Sequence, residues 1–308
     1  MDSNLSEILE IPERAKTLLE DPAKYSLPLH VPYLAMGSSH FATLAFKYMG
    51  FEIYPEIASE FHAYLKKENK IPEAVILSQS GRSSEPVWCT SLVDAYTAIT
   101  NDLNSPLALA KNAKQVIAIM AGEEHNSSSK TYTNTLLTLF KGFGIDVTPG
   151  LNVLVNNMAV YQDRGKAMAK EVFELLQSGT IHGIYIVGNG PNIATAMEAA
   201  LILSESTKRN FHGLPMAQYD HGPKETAKNS VIIQIVSQGP SYVRTIKLAE
   251  ILKKAGAHVI QVEEKNVSEN LSVVNNIVPF NFMAYYLAQK LNVGSTFTVG
   301  GKVTEVDV

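Results

Sequence analysis

The sequence has almost no cysteine and no long apolar run. Cys89 is the only cysteine among 308 residues, which excludes an internal disulfide framework and a thiolate cluster for zinc or iron–sulfur. No stretch is apolar over the roughly 20 residues that a membrane-spanning helix needs. Residues 1–7 carry acid where a signal peptide carries base before an apolar block. We therefore expect a cytoplasmic protein in a reducing compartment.

An excess of basic charge is absent as well. The chain has 26 lysines and arginines against 30 aspartates and glutamates, a net charge of -4, and the charges are spread without blocks. This pattern favours neither a nucleic-acid partner nor a membrane partner, so a small molecule is the expected ligand. Since 45% of the residues are hydrophobic, the chain can bury a sizeable core, and its length predicts two domains.

Short apolar runs alternate with helical segments in the first half of the chain. Runs at 33–35, 74–77 and 115–120 read as strands, and the first two lead through a small-residue turn into a helix, the second helix being predicted near 86–96. A continuous apolar run of this length is typical of a parallel strand that is buried on both faces.

The second half repeats this order. After a helical stretch at 158–177, strands are predicted at 183–187, 230–236 and 258–264, and the turn after 230–236 again contains Ser-Gln and glycine. The repeat predicts an α/β protein made of two similar doubly wound parallel-sheet domains, flavodoxin-like with three αβα layers, at 1–150 and 151–308. Functional loops are then expected at the carboxyl ends of the strands.

The turn ILSQSGRSSEP, at 76–86, is the clearest candidate binding segment. It follows a predicted strand, precedes a predicted helix and brings together the hydroxyls of Ser78, Ser80, Ser83 and Ser84. Backbone amides and hydroxyls at a helix N-terminus suit an anion, with phosphate as the natural ligand. No Gly-Lys-Ser/Thr follows, so the turn is not a Walker loop. A serine-rich N-cap without a ligand is an equally good reading of this segment alone.

Two further positions carry titratable side chains in suggestive places. Glu205 lies seven residues after Glu198 in a helical pattern, two turns along the same face, where one carboxylate can act as a proton-transferring base. His221 precedes Gly-Pro, a rigid turn, and histidine titrates near neutrality. Taken singly, a solvated helix edge and a structural loop histidine are the commoner readings of such residues.

Several motifs together resemble the sugar isomerase (SIS) family, in particular the isomerase half of glucosamine-6-phosphate synthase and the stand-alone amino-sugar phosphate deaminases. They occur in the family's order and span nearly the whole chain. The motifs are AMGSSH, LSQSGRSSE, SSSKTYTN, GNGPNIATAMEAALILSES, HGPKE and the terminal GGKVTEV. The resemblance implies a sugar 6-phosphate as substrate, in agreement with the anion site argued from the turn.

The resemblance also implies roles for individual residues in binding. The residues implied to hold the 6-phosphate are Ser78, Gln79, Ser80 and Ser83. Those implied to contact the sugar hydroxyls, or to complete the phosphate loop, are Ser38 or Ser39 and Ser128, and Glu198 is a further substrate-binding candidate.

Three catalytic roles follow from the same resemblance. Glu205 matches the base that moves a proton between C1 and C2. His221 matches the ring-opening residue, which in a homodimer reaches into the neighbouring subunit's site. Lys302 matches the lysine that meets the open-chain carbonyl, with a Schiff base as one option. Such aldose–ketose chemistry requires no metal and no organic cofactor.

The sequence departs from the family at three places. Ile202 stands where the synthase has a lysine, which bears on the handling of the C2 amino group, and residues 292–302 differ from the relatives' Asp-rich stretch. Arg82 lies in the serine turn, where it can either contact the phosphate or point to solvent.

Four functions remain open on the sequence alone. The first is an amino-sugar phosphate deaminase/isomerase that converts glucosamine 6-phosphate to fructose 6-phosphate and ammonia, or the reverse. With one cysteine, placed in a predicted helix, the chain is not expected to take ammonia from glutamine by itself, so a second reading is the isomerase subunit of an aminotransferase with a separate glutaminase. The others are a phosphoglucose or phosphomannose isomerase and a non-catalytic sugar-phosphate sensor. The joint presence of Glu205, His221 and Lys302 favours an enzyme.

Overall fold

The computed structural model describes residues 3–65 and 69–306 of the chain, which form two compact units. The first unit comprises Glu10–Val147 and Thr298–Val308, and the second comprises Met1–Leu9 and Thr148–Phe297. The C-terminal segment therefore groups with the first half of the sequence, whereas we expected it to belong to the second domain. The N-terminal helix likewise groups with the second half.

The secondary structure alternates between strands and helices throughout. The strands are β1 (Pro32–Ala35), β2 (Tyr54–Ile57), β3 (Ile71–Leu77), β4 (Val93–Thr100), β5 (Ala113–Ala118), β6 (Gly183–Gly188), β7 (His212–Pro215), β8 (Ser230–Val236) and β9 (His258–Glu263). The helices are α1 (Ser3–Leu9), α2 (Ile11–Glu20), α3 (Gly37–Tyr48), α4 (Ala58–Glu60), α5 (Ser84–Cys89), α6 (Pro106–Leu109), α7 (Lys130–Gly142), α8 (Thr148–Gln177), α9 (Asn192–Thr207), α10 (Met216–Asp220), α11 (Tyr242–Lys254), α12 (Glu269–Asn276) and α13 (Val278–Lys290). A short π-helix lies at Phe61–Leu65, and short 3₁₀-helices lie at Thr90–Leu92 and Pro223–Thr226.

Each unit contains one fully parallel sheet. The strand order is β2-β1-β3-β4-β5 in the first unit and β7-β6-β8-β9 in the second. The first order is that of flavodoxin-like doubly wound folds, and the second repeats its first four positions. The α/β class with two similar parallel sheets is therefore confirmed. In each sheet the direction of winding reverses between two central strands, β1 and β3 or β6 and β8, and this switch point is where such folds bind ligands.

The central strands are buried as their composition predicts. In β3 the run 74–77 is fully buried, and all seven residues of β8 are buried. Val, Ile and Leu fill both faces of these strands because helices cover a parallel sheet on either side. These strands anchor the sheets, so their carboxyl ends hold the following turns in defined positions.

The edge strands β2 and β7 were not predicted from the sequence. Each has four residues and contains proline, with Pro55 in β2 and Pro215 in β7. A proline cannot donate a ladder hydrogen bond, so it is typical of edge strands, of strand starts and of bulges. Both strands pair with one neighbour only, β1 and β6 respectively, so their sequences do not carry the apolar run that marks a central strand.

The predicted helix at 86–96 is wrong over its second half. The helix α5 ends at Cys89, and β4 begins at Val93. The hydroxyl of Thr90 donates to the carbonyl of Val87 (2.7 Å), and that of Ser91 donates to the carbonyl of Trp88 (2.8 Å). Such bonds from serine and threonine to nearby carbonyls compete with the helical pattern, and the chain turns here into a strand.

No helix in the parts of the chain that the structure describes combines the length and the apolar character needed to cross a membrane.

Candidate functional site

The serine turn lies at the switch point of the first unit. β1 ends at Ala35 and leads into α3, whereas β3 ends at Leu77 and leads into the turn that starts with Ser78. Leu34 of β1 pairs with Ile76 of β3, so these two strands are direct neighbours. Since they are parallel, the segments that follow them leave the same edge of the sheet.

Ser78 organises the turn from the inside. Its side chain is buried, and its amide donates to the carbonyl of Ile99 on β4 (3.1 Å). Its hydroxyl accepts from the amide of Gly81 (3.1 Å) and lies 3.4 Å from the hydroxyl of Ser83. The hydroxyl of Ser80 accepts from the amide of Arg82 (3.2 Å). Three of the predicted phosphate-binding serines thus share one compact turn.

Gln79 and Gly81 tie the turn to the neighbouring strand and helix. The carbonyl of Gln79 accepts from the amide of Asn101 (2.9 Å), and that of Gly81 accepts from the amide of Leu107 (3.1 Å). Gly81 has φ +63°, and a Cβ built at this position would lie 2.0 Å from the hydroxyl of Ser105. The turn is therefore rigid, and it needs glycine at this residue both for its backbone conformation and for the space.

Arg82 points away from the interior of the turn. Its guanidinium donates to the carboxylate of Asp102 (2.8 Å), and both side chains are largely exposed. The pKa of Asp102 is lowered, first by the hydrogen bond from the amide of Asn104 and then by Arg82. In this arrangement the guanidinium is engaged by a carboxylate and is not positioned for an anion in the serine turn.

The other predicted binding serines of the first unit lie on two elements. Ser38 and Ser39 are half-buried in the first turn of α3, directly after β1. Ser128 is half-buried in the loop between β5 and α7. Ser38 and Ser39 thus follow the strand that neighbours β3, at the edge of the sheet where the serine turn begins.

Lys302 is held by a buried carboxylate that sequence reasoning missed. Its ammonium donates to Oε2 of Glu124 (2.8 Å) and to the carbonyl of Asn126 (2.6 Å). The Glu124 side chain is 0% exposed and that of Lys302 is 19% exposed. A protonated lysine against a buried carboxylate acts as a fixed positive charge.

Glu124 is itself fixed by the start of α7. Oε1 of its carboxylate accepts from the amide and the hydroxyl of Ser129 (2.9 and 2.8 Å) and from the amide of Thr131 (3.3 Å). The hydroxyl of Thr131 donates to Oε2. No local pattern marks Glu124, because in a capping box the serine or threonine precedes the acid, whereas here the acid precedes Ser129 and Thr131.

The C-terminal segment is bonded directly to the end of the serine turn. The amide of Ser84 donates to the carbonyl of Thr304 (3.1 Å), and its hydroxyl contacts the carbonyl and the amide of Val306 (3.0 and 2.7 Å). Lys302 precedes Thr304 by two residues, which corresponds to at most about 7 Å of extended chain. The predicted catalytic lysine and the predicted phosphate turn are therefore neighbours within the first unit.

The second unit holds the two predicted carboxylates. Both lie on α9, but Glu198 is fully buried and Glu205 is half-buried. Lys208 ends this helix in the left-handed conformation, and its ammonium donates to the carbonyls of Glu205 and Thr296. Glu198 lies in the interior of the unit, and its contact with substrate stays a prediction.

His221 lies in the second unit, at the end of α10. Its amide caps this helix by donating to the carbonyls of Ala217 (3.1 Å) and Gln218 (3.2 Å), and the residue is exposed. The preceding Asp220 pairs with Arg244 (2.7 Å) and Lys224 (3.0 Å). These two cations, Arg244 first, lower the pKa of Asp220. The paired aspartate fixes the loop, so the position of the histidine is set by its neighbours.

Strand order and the place of the serine turn define a doubly wound α/β protein with a candidate anion site at the switch point of its first sheet. No protein-family model matches the chain. Among curated proteins, the chain is 24% identical over 284 residues to the glutamine–fructose-6-phosphate aminotransferase of Methanothermobacter thermautotrophicus. The aligned region covers 83% of this chain and 48% of that relative. The aminotransferase of Pyrococcus horikoshii is also 24% identical and matches 93% of this chain and 52% of its own length. The chain thus spans about half the length of these relatives.

Solved structures give the same result at the level of the fold. The C-terminal domain of glucosamine-fructose-6-phosphate aminotransferase from Francisella tularensis has a TM-score of 0.80 at 20% identity, over 96% of this chain and 98% of that one. Glucosamine-6-phosphate deaminase from Thermotoga maritima has a TM-score of 0.76 at 17% identity, over 96% of both chains. The tagatose-6-phosphate ketose/aldose isomerase of Escherichia coli has a TM-score of 0.69 at 16% identity, over 98% of this chain and 96% of that one. These findings confirm the resemblance to the sugar isomerase family, and the structures establish the fold.

Proposed function

We propose that the chain is an amino-sugar phosphate deaminase/isomerase that interconverts glucosamine 6-phosphate with fructose 6-phosphate and ammonia. The proposal is supported by the names of a curated relative, a glutamine–fructose-6-phosphate aminotransferase, and of a structural neighbour, a glucosamine-6-phosphate deaminase. The serine turn would hold the 6-phosphate through hydroxyls and backbone amides, which bind anions without a metal ion.

One observation carries the proposal beyond simple binding. The segment with Lys302 is hydrogen-bonded to Ser84 at the end of the serine turn, and the lysine is locked onto Glu124. Phosphate binding alone would require only the serine turn. It would not require a fixed ammonium, that of Lys302, on the segment bonded to Ser84. An ammonium close to the bound sugar can stabilise the negative charge that develops on oxygen when the carbonyl forms an enol.

The proposed reaction begins with the opening of the sugar ring. His221 moves the proton of the C1 hydroxyl to the ring oxygen, so the ring C1–O bond breaks and C1 becomes an aldehyde. Glu205 removes the hydrogen on C2 as a proton; the electron pair of that bond forms a C1–C2 double bond, and the C1 oxygen takes a proton from a water molecule. Glu205 then returns its proton to C1, and the nitrogen on C2 gives a proton to the hydroxide left by that water, so that it becomes an imine. Water adds to C2, and ammonia leaves to give the ketose.

In this reaction the ammonium of Lys302 acts through its positive charge and does not form a covalent bond with the substrate. Its protonated form beside Glu124 favours electrostatic stabilisation over attack on the carbonyl, because a Schiff base requires a free amine. We therefore assign it to the oxygen on C1.

A second candidate function is supported by the curated relatives. They are glutamine–fructose-6-phosphate aminotransferases, of which this chain matches about half. In that case the same site would run in the direction of amination, and ammonia would come from a separate glutaminase chain. Such a partner should co-purify with the protein.

The test supplies glucosamine 6-phosphate as the only substrate and follows ammonia and fructose 6-phosphate together. Stoichiometric release of both establishes the deaminase. Conversion of glucose 6-phosphate to fructose 6-phosphate without ammonia release would replace the proposal by a plain isomerase, and Ile202, at the position of the synthase lysine, would be the residue to examine first.

Inactivity on both substrates calls for a binding measurement. Glucosamine 6-phosphate formed only when fructose 6-phosphate, glutamine and a co-purified glutaminase are present would establish the aminotransferase. Tight binding of fructose 6-phosphate without any turnover would favour a sensor. In each case Ser78→Ala should weaken binding, whereas Ser26→Ala, which changes an exposed serine of the same unit, should leave it unchanged.

A further inference from the structure

The second unit contains a turn that matches the serine turn of the first. β8 is followed by Ser237, Gln238 and Gly239, as β3 is followed by Ser78, Gln79 and a glycine two residues later. β8 neighbours β6, and these strands form the switch point of the second sheet. The position corresponds to that of the candidate phosphate turn, yet the proposed reaction assigns it no role.

A carboxylate of the chain itself occupies this second turn. The hydroxyl of Ser237, which is buried, donates to Oε1 of Glu269 (2.8 Å). A Cβ built on Gly239 would lie 2.2 Å from Oε2 and 2.3 Å from the carboxyl carbon of Glu269. The carboxylate thus lies directly over the backbone of the turn, in space that any other residue at 239 would fill.

The same carboxylate faces the loop after β6. A Cβ built on Gly190 would lie 3.7 Å from the carboxyl carbon of Glu269, so the glutamate is flanked by the loops that follow both strands of the switch point. These loops lead into α9 and α11, helices of 16 and 13 residues, whose N-terminal amides favour a negative charge. Glu269 supplies that charge from a third helix, of which it is the first residue.

The charged side chains of Glu263 and Lys265 near the turn are already paired with each other, and the pair has no unbalanced positive charge that would attract a second anion. Gln238 donates to the carboxylate of Glu263 (2.7 Å), which also lies 3.8 Å from the ammonium of Lys265. An external phosphate at this position would clash with the Glu269 carboxylate and would be repelled by its negative charge.

We propose that Glu269 is an internal ligand of the second unit, in which its carboxylate takes the place that a phosphate anion would otherwise occupy. Each chain then has one phosphate site, at the serine turn of the first unit. The second turn accepts inorganic phosphate only after Glu269 is replaced by a small neutral residue. The inference concerns binding alone and is independent of the proposed activity.

Equilibrium dialysis of the full chain with inorganic phosphate tests this. The wild type should bind one equivalent, and Ser78→Ala with Ser80→Ala should abolish it. Glu269→Ala should add one further equivalent that survives the two serine changes and disappears when Ser237→Ala is added. Glu250→Ala, which removes an exposed acid of the same unit, matches the charge change and should add nothing.

Two results would overturn the proposal. One is a second equivalent in the wild type that Ser237→Ala removes, because the turn would then be open already. The other is a folded Glu269 variant that binds no more than the wild type, which would leave the glutamate as an ordinary acid at a helix start. Glu269→Ser is the second variant, since serine is well tolerated at the start of a helix. Unfolding midpoints with and without phosphate give an independent readout, because a ligand bound only to the folded state raises the midpoint.

Discussion

The ammonium of Lys302 lies 2.8 Å from the carboxylate of Glu124, across 178 residues of sequence. This pair fixes the C-terminal segment in the first unit, with Glu124 held in turn by Ser129 and Thr131. Because the glutamate side chain is fully buried, its charge needs the lysine and the amides around it.

The first prediction concerns this pair. Lys302→Met should lower kcat by roughly 10²–10³-fold, as expected when one stabilising charge is lost from a developing oxyanion, with fructose 6-phosphate binding largely kept. Glu124→Gln should lower kcat less, because the ammonium remains but is no longer held in place. Steady-state kinetics on both variants checks whether Lys302→Met lowers kcat more than Glu124→Gln does.

The double variant separates a positioning role from a structural one. If Glu124 acts through Lys302, Glu124→Gln in the Lys302→Met background should change kcat no further. An additional loss of similar size in that background would contradict the coupling.

Glu205→Gln is predicted to remove proton transfer and to leave sugar-phosphate binding intact, because the serine turn belongs to the other unit. The expected loss in turnover is roughly 10²–10⁴-fold, the usual contribution of general acid–base catalysis. Exchange of the C1 and C2 hydrogens with deuterated water, followed by NMR, checks this directly. Exchange at the wild-type rate in the variant would show that another group is the base.

The proposed dimer leads to a complementation experiment. His221 is exposed in the chain, and we propose that it enters the site of a second copy. Co-expressed Glu205→Gln and His221→Ala chains would then form mixed dimers that keep one intact site each. Mixed dimers purified through two different affinity tags should have about half of the wild-type activity, because one of their two sites is intact. Mixed dimers as inactive as the parents would place the histidine in its own subunit's site.

Gly81→Ala should destabilise the first unit and weaken phosphate binding. The residue has φ +63°, and the added Cβ would lie 2.0 Å from the hydroxyl of Ser105. The backbone strain alone costs roughly 1–3 kcal/mol, and the close approach adds to it. Gly144→Ala is the matched control, since its φ is +70° with nothing within 4 Å of the new methyl group. Urea unfolding should show a clearly larger loss for Gly81→Ala, and equal losses would mean that the contact with Ser105 relaxes freely.

His40 should make stability depend on pH. Burial lowers its pKa, Lys47 lowers it further, and a backbone hydrogen bond involving Glu56 acts in the opposite direction. The unfolded chain therefore takes up a proton near pH 6.5 that the folded chain does not, so this contribution is present above pH 6.5 and is lost as the pH falls below it. One such group changes the unfolding free energy by at most about 1.4 kcal/mol per pH unit.

Replacement of the residue checks the assignment. His40→Gln should flatten the fall in unfolding midpoint between pH 6.5 and 5, whereas His182→Gln, at an exposed position, should not. A wild-type slope in the His40 variant would attribute the effect to other groups.

The sequence predicts the central strands β3 and β8 and the serine turn well, because both depend on local chemistry, but it misses β4, which also lies inside its sheet. Apolar runs at 74–77 and 230–236 mark strands buried on both faces, and Ser, Gln and Gly at their ends mark turns. Strands β2 and β7 are not predicted, because a four-residue edge strand with proline has no apolar run. The boundary between α5 and β4 is not predicted either, because it depends on the hydrogen bonds of the Thr90 and Ser91 hydroxyls.

The candidate-site residues that the sequence predicts are those in short motifs whose residue types indicate a function by themselves. Glu124 was missed because its importance arises from contacts with Lys302, far away in the sequence. Glu269 was missed for the same reason, as its bond to Ser237 spans 32 positions. A carboxylate that binds within the protein has no local signature, whereas a serine turn does.

The bond between Ser84 and Val306 joins residues 222 positions apart. During translation the serine turn emerges from the ribosome long before the segment that carries Lys302. Closure of so large a loop is slow compared with local folding. We therefore expect the nascent chain to form its first sheet early and to acquire the lysine only after the segment up to residue 306 has left the ribosome. Ribosome-stalled chains of increasing length, probed by limited proteolysis, would show whether the serine turn becomes protected only after residue 306 has emerged.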